Sequence, residues 1–394
     1  MTKTSRQHLF ELCGIYFLWS AAIFLLAWLA PQFFPYQPSF PYAKQLAQAS
    51  QLPAFLYSFA NFDGVHYLTI ARQGYLGTGL IQAFFPLYPV FIWLLTPIIG
   101  NQLLSALVLS QFTGLTAFLM LYIFVEKHYS SKIAWKASLL FLFFASSFFL
   151  HAVYNEGLFL TFLFAGLYFF DQKKYLWAAL FGLLASATRI VGVFIFPMYL
   201  ILLFSDLHSN LKSFLQRNIW KILLLSLSLF GLFAYMIYLY LLFKDPLYFY
   251  HVQGQFGAGR QTELVLLPQV IWRYLKIFST VDHWTWSYYS YLQEFLLSIW
   301  ALLLLFWLTW RSWQRKISFQ AGYLFFAWAV YLLPTFTGNF SSMPRYLLAC
   351  FPLFLGMALS WKKKNVWLYR IYFFTQIILS IINVLLFIQG YWVA

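Results

Sequence analysis

Asp63 and His66 stand at i and i+3 within Asn61-Phe-Asp-Gly-Val-His-Tyr-Leu-Thr-Ile-Ala-Arg-Gln-Gly-Tyr75. That spacing places both on one face if the stretch is helical, as Leu68, Ile70 and Ala71 suggest. The carboxylate lies just beyond the first apolar segment of a chain with only ten acidic residues. An ionisable group at a membrane margin is costly to hold, so function is its default reading, and Asp63 is a candidate general base. Carboxylate and imidazole could also bind a divalent metal, with Glu156 completing the set. Such a site needs more ligands than the sequence gathers nearby, so no cofactor is expected and His66 is read as a hydrogen-bonding neighbour of the site.

Glu156 opens an apolar helix within Tyr154-Asn-Glu-Gly157. An acid in the first turn suits the helix dipole and Asn155 could cap. The preceding turn is only a few residues long, however, which brings this carboxylate to the margin that carries Asp63 and makes it a second catalytic candidate. Arg189 and Arg345 each stand at the outer end of an apolar helix with no carboxylate nearby in sequence. A planar guanidinium there suits a phosphate, which it can grip with two bonds; the plainer alternative is snorkelling to lipid headgroups.

These residues must be positioned by membrane helices. The chain is 62% hydrophobic and 9% charged, with mean hydropathy +0.72, far from the composition of a soluble domain. Its net charge of +15 is spread in short clusters between apolar runs, which excludes nucleic acid as a partner. Cys13 and Cys350 both lie in apolar runs and carry no redox information. The run from about Leu9 to Ala30 is long enough to span a bilayer and is read as a retained first helix rather than a signal segment.

Hydropathy places spans at 10–30, 103–125, 137–153, 157–171, 176–188, 190–204, 222–243, 291–310, 319–336, 345–361 and 366–390, about eleven if 84–99 does not cross. With 84–99 kept at the interface, 17 of the 25 basic residues fall inside and 8 outside. Letting it cross reverses that ratio and breaks the positive-inside rule. The expectation is therefore an all-α polytopic membrane protein of one domain, 1–394, with its N-terminus inside. Residues 31–102 form a first extracytoplasmic loop with juxtamembrane helices, and 244–290 form a second. Trp284, Trp286, Tyr288, Tyr289 and Tyr291 at the end of that second loop could stack on sugar or lie in the interfacial aromatic belt, and the belt is the expected place.

The segment 61–75 resembles the W-D-x-x-x-[FY]-x-x-I-A-x-x-G-Y signature of the PIG-V-like mannosyltransferases, integral membrane glycosyltransferases of the GT-C class related to GPI mannosyltransferase 2. Further pieces are similar in the same order: Phe84-Phe-Pro-Leu-Tyr-Pro89, Tyr154-Asn-Glu-Gly-Leu-Phe159, Ala187-Thr-Arg-Ile-Val-Gly192, Asp245-Pro-Leu with Gly259-Arg260, and Pro344-Arg-Tyr346. Phe62 stands where the family has Trp, and Ile190-Val191 replace a polar Ser-Asn pair. The resemblance implies a GT-C fold with its catalytic Asp in the first extracytoplasmic loop. The donor would be a polyprenyl-phosphate sugar and the acceptor a lipid or glycan. Asp63 and Glu156 would be catalytic, and His66, Tyr67, Arg189, Arg260, Arg345 and Tyr346 would contact substrate. The protein would lie in the cell membrane of a bacterium or the endoplasmic reticulum membrane of a eukaryote, where Asn339-Phe-Ser341 would permit a glycan.

That chemistry needs few groups. A sugar on a lipid phosphate already has a good leaving group, so one base suffices where glycosidases need two carboxylates. Positive charge is required where the departing phosphate becomes negative. The rival expectation is a transporter or flippase of an amphipathic substrate, but such proteins carry midplane charges and internal repeats, and no repeat is found here.

Overall fold

The computed structural model describes residues 3–40, 42–205, 211–255, 261, 263–317, 319–360 and 366–393. Every regular element among them is helical. The chain opens with α1 (Lys3–Phe33), an apolar rod, followed by the shorter α2 (Ala43–Ser50), α3 (Ala54–Tyr57) and α4 (Asp63–Gln73). Next comes α5 (Leu87–Ile99), which ends on Gly100 at φ 81, a left-handed turn that glycine adopts without a Cβ penalty. Its 13 residues rise about 20 Å, short of the roughly 30 Å hydrocarbon core. It lies against α4 and against α6 (Gln102–His128), while Trp93 and Ile98 stay exposed. The Asn101 side chain caps α6 by accepting from the Leu104 N–H at 3.0 Å.

The helix expected over 137–153 is broken. α7 (Ser131–Leu142) stops early, and a 3-10 turn at Ser147–Leu150 carries the chain into a buried coil before α8 (Glu156–Asp171). Irregular backbone survives at this depth because protein surrounds it and its groups are paired: Val153 N–H donates to Phe59 O at 2.9 Å and Ala145 N–H to the Gln376 side chain at 2.9 Å. α9 (Tyr175–Thr188) follows, then a sharp break at Arg189, whose φ of −150 is extended, and a 3-10 turn leading into α10 (Ile195–Ser205). α11 (Leu211–Ser226) and α12 (Phe230–Phe243) join through a further 3-10 turn, so this span starts well before the expected residue 222.

Next come α13 (Tyr248–His251) and α14 (Leu267–Thr280). α15 (Trp286–Trp313) and α16 (Ala321–Thr335) return the chain across the molecule. The single helix expected over 345–361 is instead two, α17 (Met343–Ala349) and α18 (Pro352–Ser360), bent by 74°. Pro352 explains the bend, since its ring cannot continue the preceding helix. α19 (Val366–Ile388) closes the fold against α1.

The chain is thus a polytopic helical membrane protein. Among the described residues five helices are long and apolar enough to cross a bilayer, or six if α17 and α18 count as one. The other apolar segments also fold as helices but are shorter or interrupted. Large exposed side chains such as Phe10, Phe112, Trp220 and Ile98 are what a lipid-facing surface requires.

The close approach of α6 and α8 depends on Gly114 and Gly157. A Cβ at Gly157 would stand 2.8 Å from Gly114 N and 2.9 Å from Thr113 Oγ1. Gly157→Ala is accordingly expected to cost about 1–3 kcal/mol by overpacking. A detergent thermal melt would register it, and an unchanged melt would show that the two helices can part without penalty.

Candidate active site

The local geometry begins with Phe62. Its φ of 59 and ψ of −116 are unusual for a residue with a Cβ and turn the chain so that α4 starts at Asp63. The conformation is held because the Phe62 ring is buried among Phe40, Phe387 and Trp392, with centroids 4.8, 5.7 and 5.2 Å away. The Asn61 amide adds a tether, donating to Phe387 O at 2.8 Å and Ile388 O at 3.3 Å. Tyr154 O–H donates to Asn61 O at 3.1 Å and accepts from Asp63 N–H at 3.3 Å. Gly64 lets α4 sit on the buried coil, since a Cβ there would meet Ala60 Cβ at 3.1 Å and Val153 O at 3.3 Å. Strain of this kind persists only where the surroundings over-determine it, and it concentrates at functional sites.

Four charged side chains far apart in sequence meet beyond this turn. Arg345 Nη1 donates to Asp63 Oδ2 at 2.5 Å, Arg345 Nε lies 3.2 Å from Glu156 Oε1, and Arg189 Nη1 lies 2.5 Å from the same oxygen. Asn155 Oδ1 also accepts from Arg189 Nη1 at 3.2 Å. The order Asp63, Arg345, Glu156, Arg189 alternates in sign, which is what allows charges to be buried together. Neither arginine has a carboxylate nearby in sequence, and the fold supplies both. The guanidinium of Arg345 lies over Tyr154 and that of Arg189 over Tyr346, each 5.0 Å from the ring centroid.

Helix ends contribute to the electrostatics. Asp63 and Glu156 each begin a helix, where the positive end of the dipole favours a carboxylate. Arg345 lies in the first turn of α17, where the dipole disfavours a cation, and the two acids offset that.

Three members of the cluster form the floor of a cavity of about 1430 Å³. Asp63, Arg189 and Arg345 line it, with His66, Tyr67, Phe84, Asn155, Thr188 and Tyr346 on the near wall. Asp63 is the most open of the four charged groups, its side chain 18% exposed against 3% for Glu156. Glu156 is not among the lining residues. Its Oε1 pairs with both arginines, and its side chain is the most buried of the four.

Residues of α14, the start of α15 and Tyr391 and Trp392 line another wall. Trp284, Trp286 and Tyr291, expected in the interfacial belt, line this wall. Asn339 lines it too, its side chain accepting from Ser341 N–H at 3.1 Å. Asp245, by contrast, is spent on a local turn, accepting from Leu247 N–H at 2.9 Å and pairing with His251 Nδ1 at 2.6 Å. Arg260 lies outside the described residues. Lys276, Arg273, Thr188 and Asn155 were not anticipated as site residues; only the unfavourable placing of basic residues outside pointed toward the first two. Among the described residues no group of three His, Cys, Asp or Glu side chains gathers as a metal site.

His66 stacks on Phe84 at 5.0 Å with planes 24° apart. Burial pushes its pKa below the ordinary 6.5, with Asp63 pulling the other way. The sign follows from proton uptake: as pH falls below 6.5, the unfolded chain binds the proton before the folded one, so stability declines in acid. Thermal melts of wild type and His66→Phe between about pH 7.5 and 5.5 should show a decline in wild type that the variant lacks in part. Parallel curves would mean that His66 does not carry the effect. Burial, chiefly, raises the Tyr67 hydroxyl well above its usual value, with Asp63 and Glu156 adding to the shift, so it remains protonated and able to donate.

No family model, curated protein or solved structure matches this chain.

Proposed function

We propose that this protein is an inverting glycosyltransferase that moves a hexose, of the mannose type, from a polyprenyl-phosphate donor to a lipid or glycan acceptor on the extracytoplasmic or lumenal side of the membrane. The observation that carries the reading is Asp63, Arg345 and Arg189 lining a large, partly aromatic cavity, with Glu156 pairing both arginines. One accessible carboxylate beside two buried arginines is the minimum set for displacing a phosphate from an anomeric carbon.

In this mechanism Asp63 takes the proton from the acceptor hydroxyl as its oxygen bonds to the anomeric carbon. The bond from that carbon to the phosphate oxygen breaks on the opposite face, and its electron pair leaves with the lipid phosphate. Configuration inverts, no covalent enzyme intermediate forms, and no general acid is needed. Arg345 touches the base and faces the leaving phosphate. As negative charge builds there, the guanidinium shifts its interaction toward it and leaves Asp63 free to hold the proton. Glu156 keeps both arginines aimed from below, while Trp284, Trp286 and Tyr291 offer apolar faces to a sugar ring.

The decisive experiment supplies membranes carrying this chain with labelled mannosyl polyprenyl phosphate and follows label into acceptor lipid or glycan. The expected result is transfer that depends on the chain. Label that stays on the donor, or crosses the bilayer still attached to its lipid, would overturn the proposal.

A further inference from the structure

We infer that Glu294 is a positioning residue that sets Arg345 on the floor of the cavity by pinning the turn from which α17 begins. Glu294 lies on α15, 1% exposed, and a carboxylate buried at this depth must be well hydrogen-bonded to stay. It draws donors from three separate segments. Tyr274 O–H of α14 donates to Oε2 at 2.7 Å, Ser342 N–H to Oε1 at 3.2 Å, and Trp392 Nε1–H of the C-terminal tail to Oε1 at 3.3 Å.

The Ser342 bond matters most. Ser342 has φ 63, a left-handed conformation that a residue with a Cβ seldom adopts, and it stands immediately before Met343-Pro-Arg345. Its carbonyl accepts from Arg345 N–H at 3.0 Å and Tyr346 N–H at 3.2 Å. The same turn is pinned a second time, because Tyr274 O–H, held by Glu294, accepts from Phe340 N–H at 3.2 Å. Glu294 thus reaches both ends of Phe340–Ser342, once directly and once through Tyr274, and the first turn of α17 is built on that segment. On the other side Ser146 O–H fixes Pro344 O at 2.7 Å. Arg345 must reach two carboxylates at once, so a small rotation of this turn would forfeit one of them. Tyr274 and Trp392 also line the cavity, so Glu294 ties these lining residues to the arginine on its floor.

The test uses the full chain in detergent and follows modification of Arg345 by phenylglyoxal, read by peptide mass spectrometry. Arg345 is only 7% exposed and should react slowly in wild type. Glu294→Ala should raise its rate by about tenfold or more as the turn opens. Glu294→Gln keeps an acceptor oxygen for Ser342 and Trp392, and its amide N–H can donate to the Tyr274 hydroxyl in place of the reverse bond, so both pins survive and the rate should stay within about twofold of wild type. Tyr274→Phe removes only the indirect pin and should give a rise of about threefold, which keeps the test usable if Glu294→Ala does not fold. Equal Arg345 rates in wild type, Glu294→Ala and Tyr274→Phe would overturn the inference.

Its catalytic consequence rests on the glycosyltransferase reading: kcat should fall by about tenfold or more in Glu294→Ala and return in Glu294→Gln. Wild-type chain that transfers no sugar would sink the functional proposal alone, because the modification rates decide the positioning role without it.

Discussion

Membranes carrying Asp63→Asn are expected to transfer sugar at roughly a thousandth of the wild-type rate, within the range that general-base catalysis contributes. The substitution is close to isosteric. Its amide oxygen can still accept from Arg345 Nη1, which donates to Asp63 Oδ2 at 2.5 Å, so the α4 turn and the cavity floor should keep their shape. What is lost is the ability to take a proton. Donor binding should survive, because the arginines remain and the site has shed a negative charge. Activity above about a tenth of wild type would remove Asp63 from the base role, since a positioned base is worth more than that.

Arg345→Ala should have the largest combined effect on activity and folding. The residue pairs with Asp63 and with Glu156, and its side chain is 8% exposed. Removing one partner of a buried ionic pair typically costs about 3–5 kcal/mol, because the remaining charge is left uncompensated. Glu156 retains Arg189 at 2.5 Å, which should place the loss toward the low end of that range. Activity should fall further than stability explains, since the developing phosphate charge loses a donor worth about a hundredfold to a thousandfold in rate. Arg345→Lys separates the two effects. A lysine keeps the charge but not the planar fork that reaches two carboxylates, so stability should largely return while transfer stays about a hundredfold down. A detergent melt and a transfer assay on the three proteins would show this split. Arg345→Ala that melts with wild type and retains transfer would remove Arg345 from both roles.

Part of the site was legible before any coordinates. Asp63 and Arg345 drew notice because a charge beside an apolar run is costly and needs a reason. The shortness of the apolar run at 84–99 was legible too, and α5 is a 13-residue helix. The tether that seats Asp63 was not legible. Asn61 finds its acceptors on Phe387 and Ile388, at the far end of the chain, and no local pattern points there. The pairing of Glu156 with both arginines was not legible for a similar reason: a carboxylate at a helix start reads the same whichever distant groups meet it.

Sequence by itself determined that this chain is a helical membrane protein, which segments are apolar, and that its unusual charges gather near helix ends. Hydropathy and charge bias are sums over neighbouring residues, so they can be read along the chain. Only the tertiary structure decided that Asp63 meets Arg345 across 282 residues, that Glu156 pairs with both arginines, and that Glu294 accepts from the turn before α17. It also decided where apolar runs break, at 143–155 and between α17 and α18. An ion pair or a bend depends on what surrounds it in space, and burial by distant segments is the one quantity that local composition does not contain.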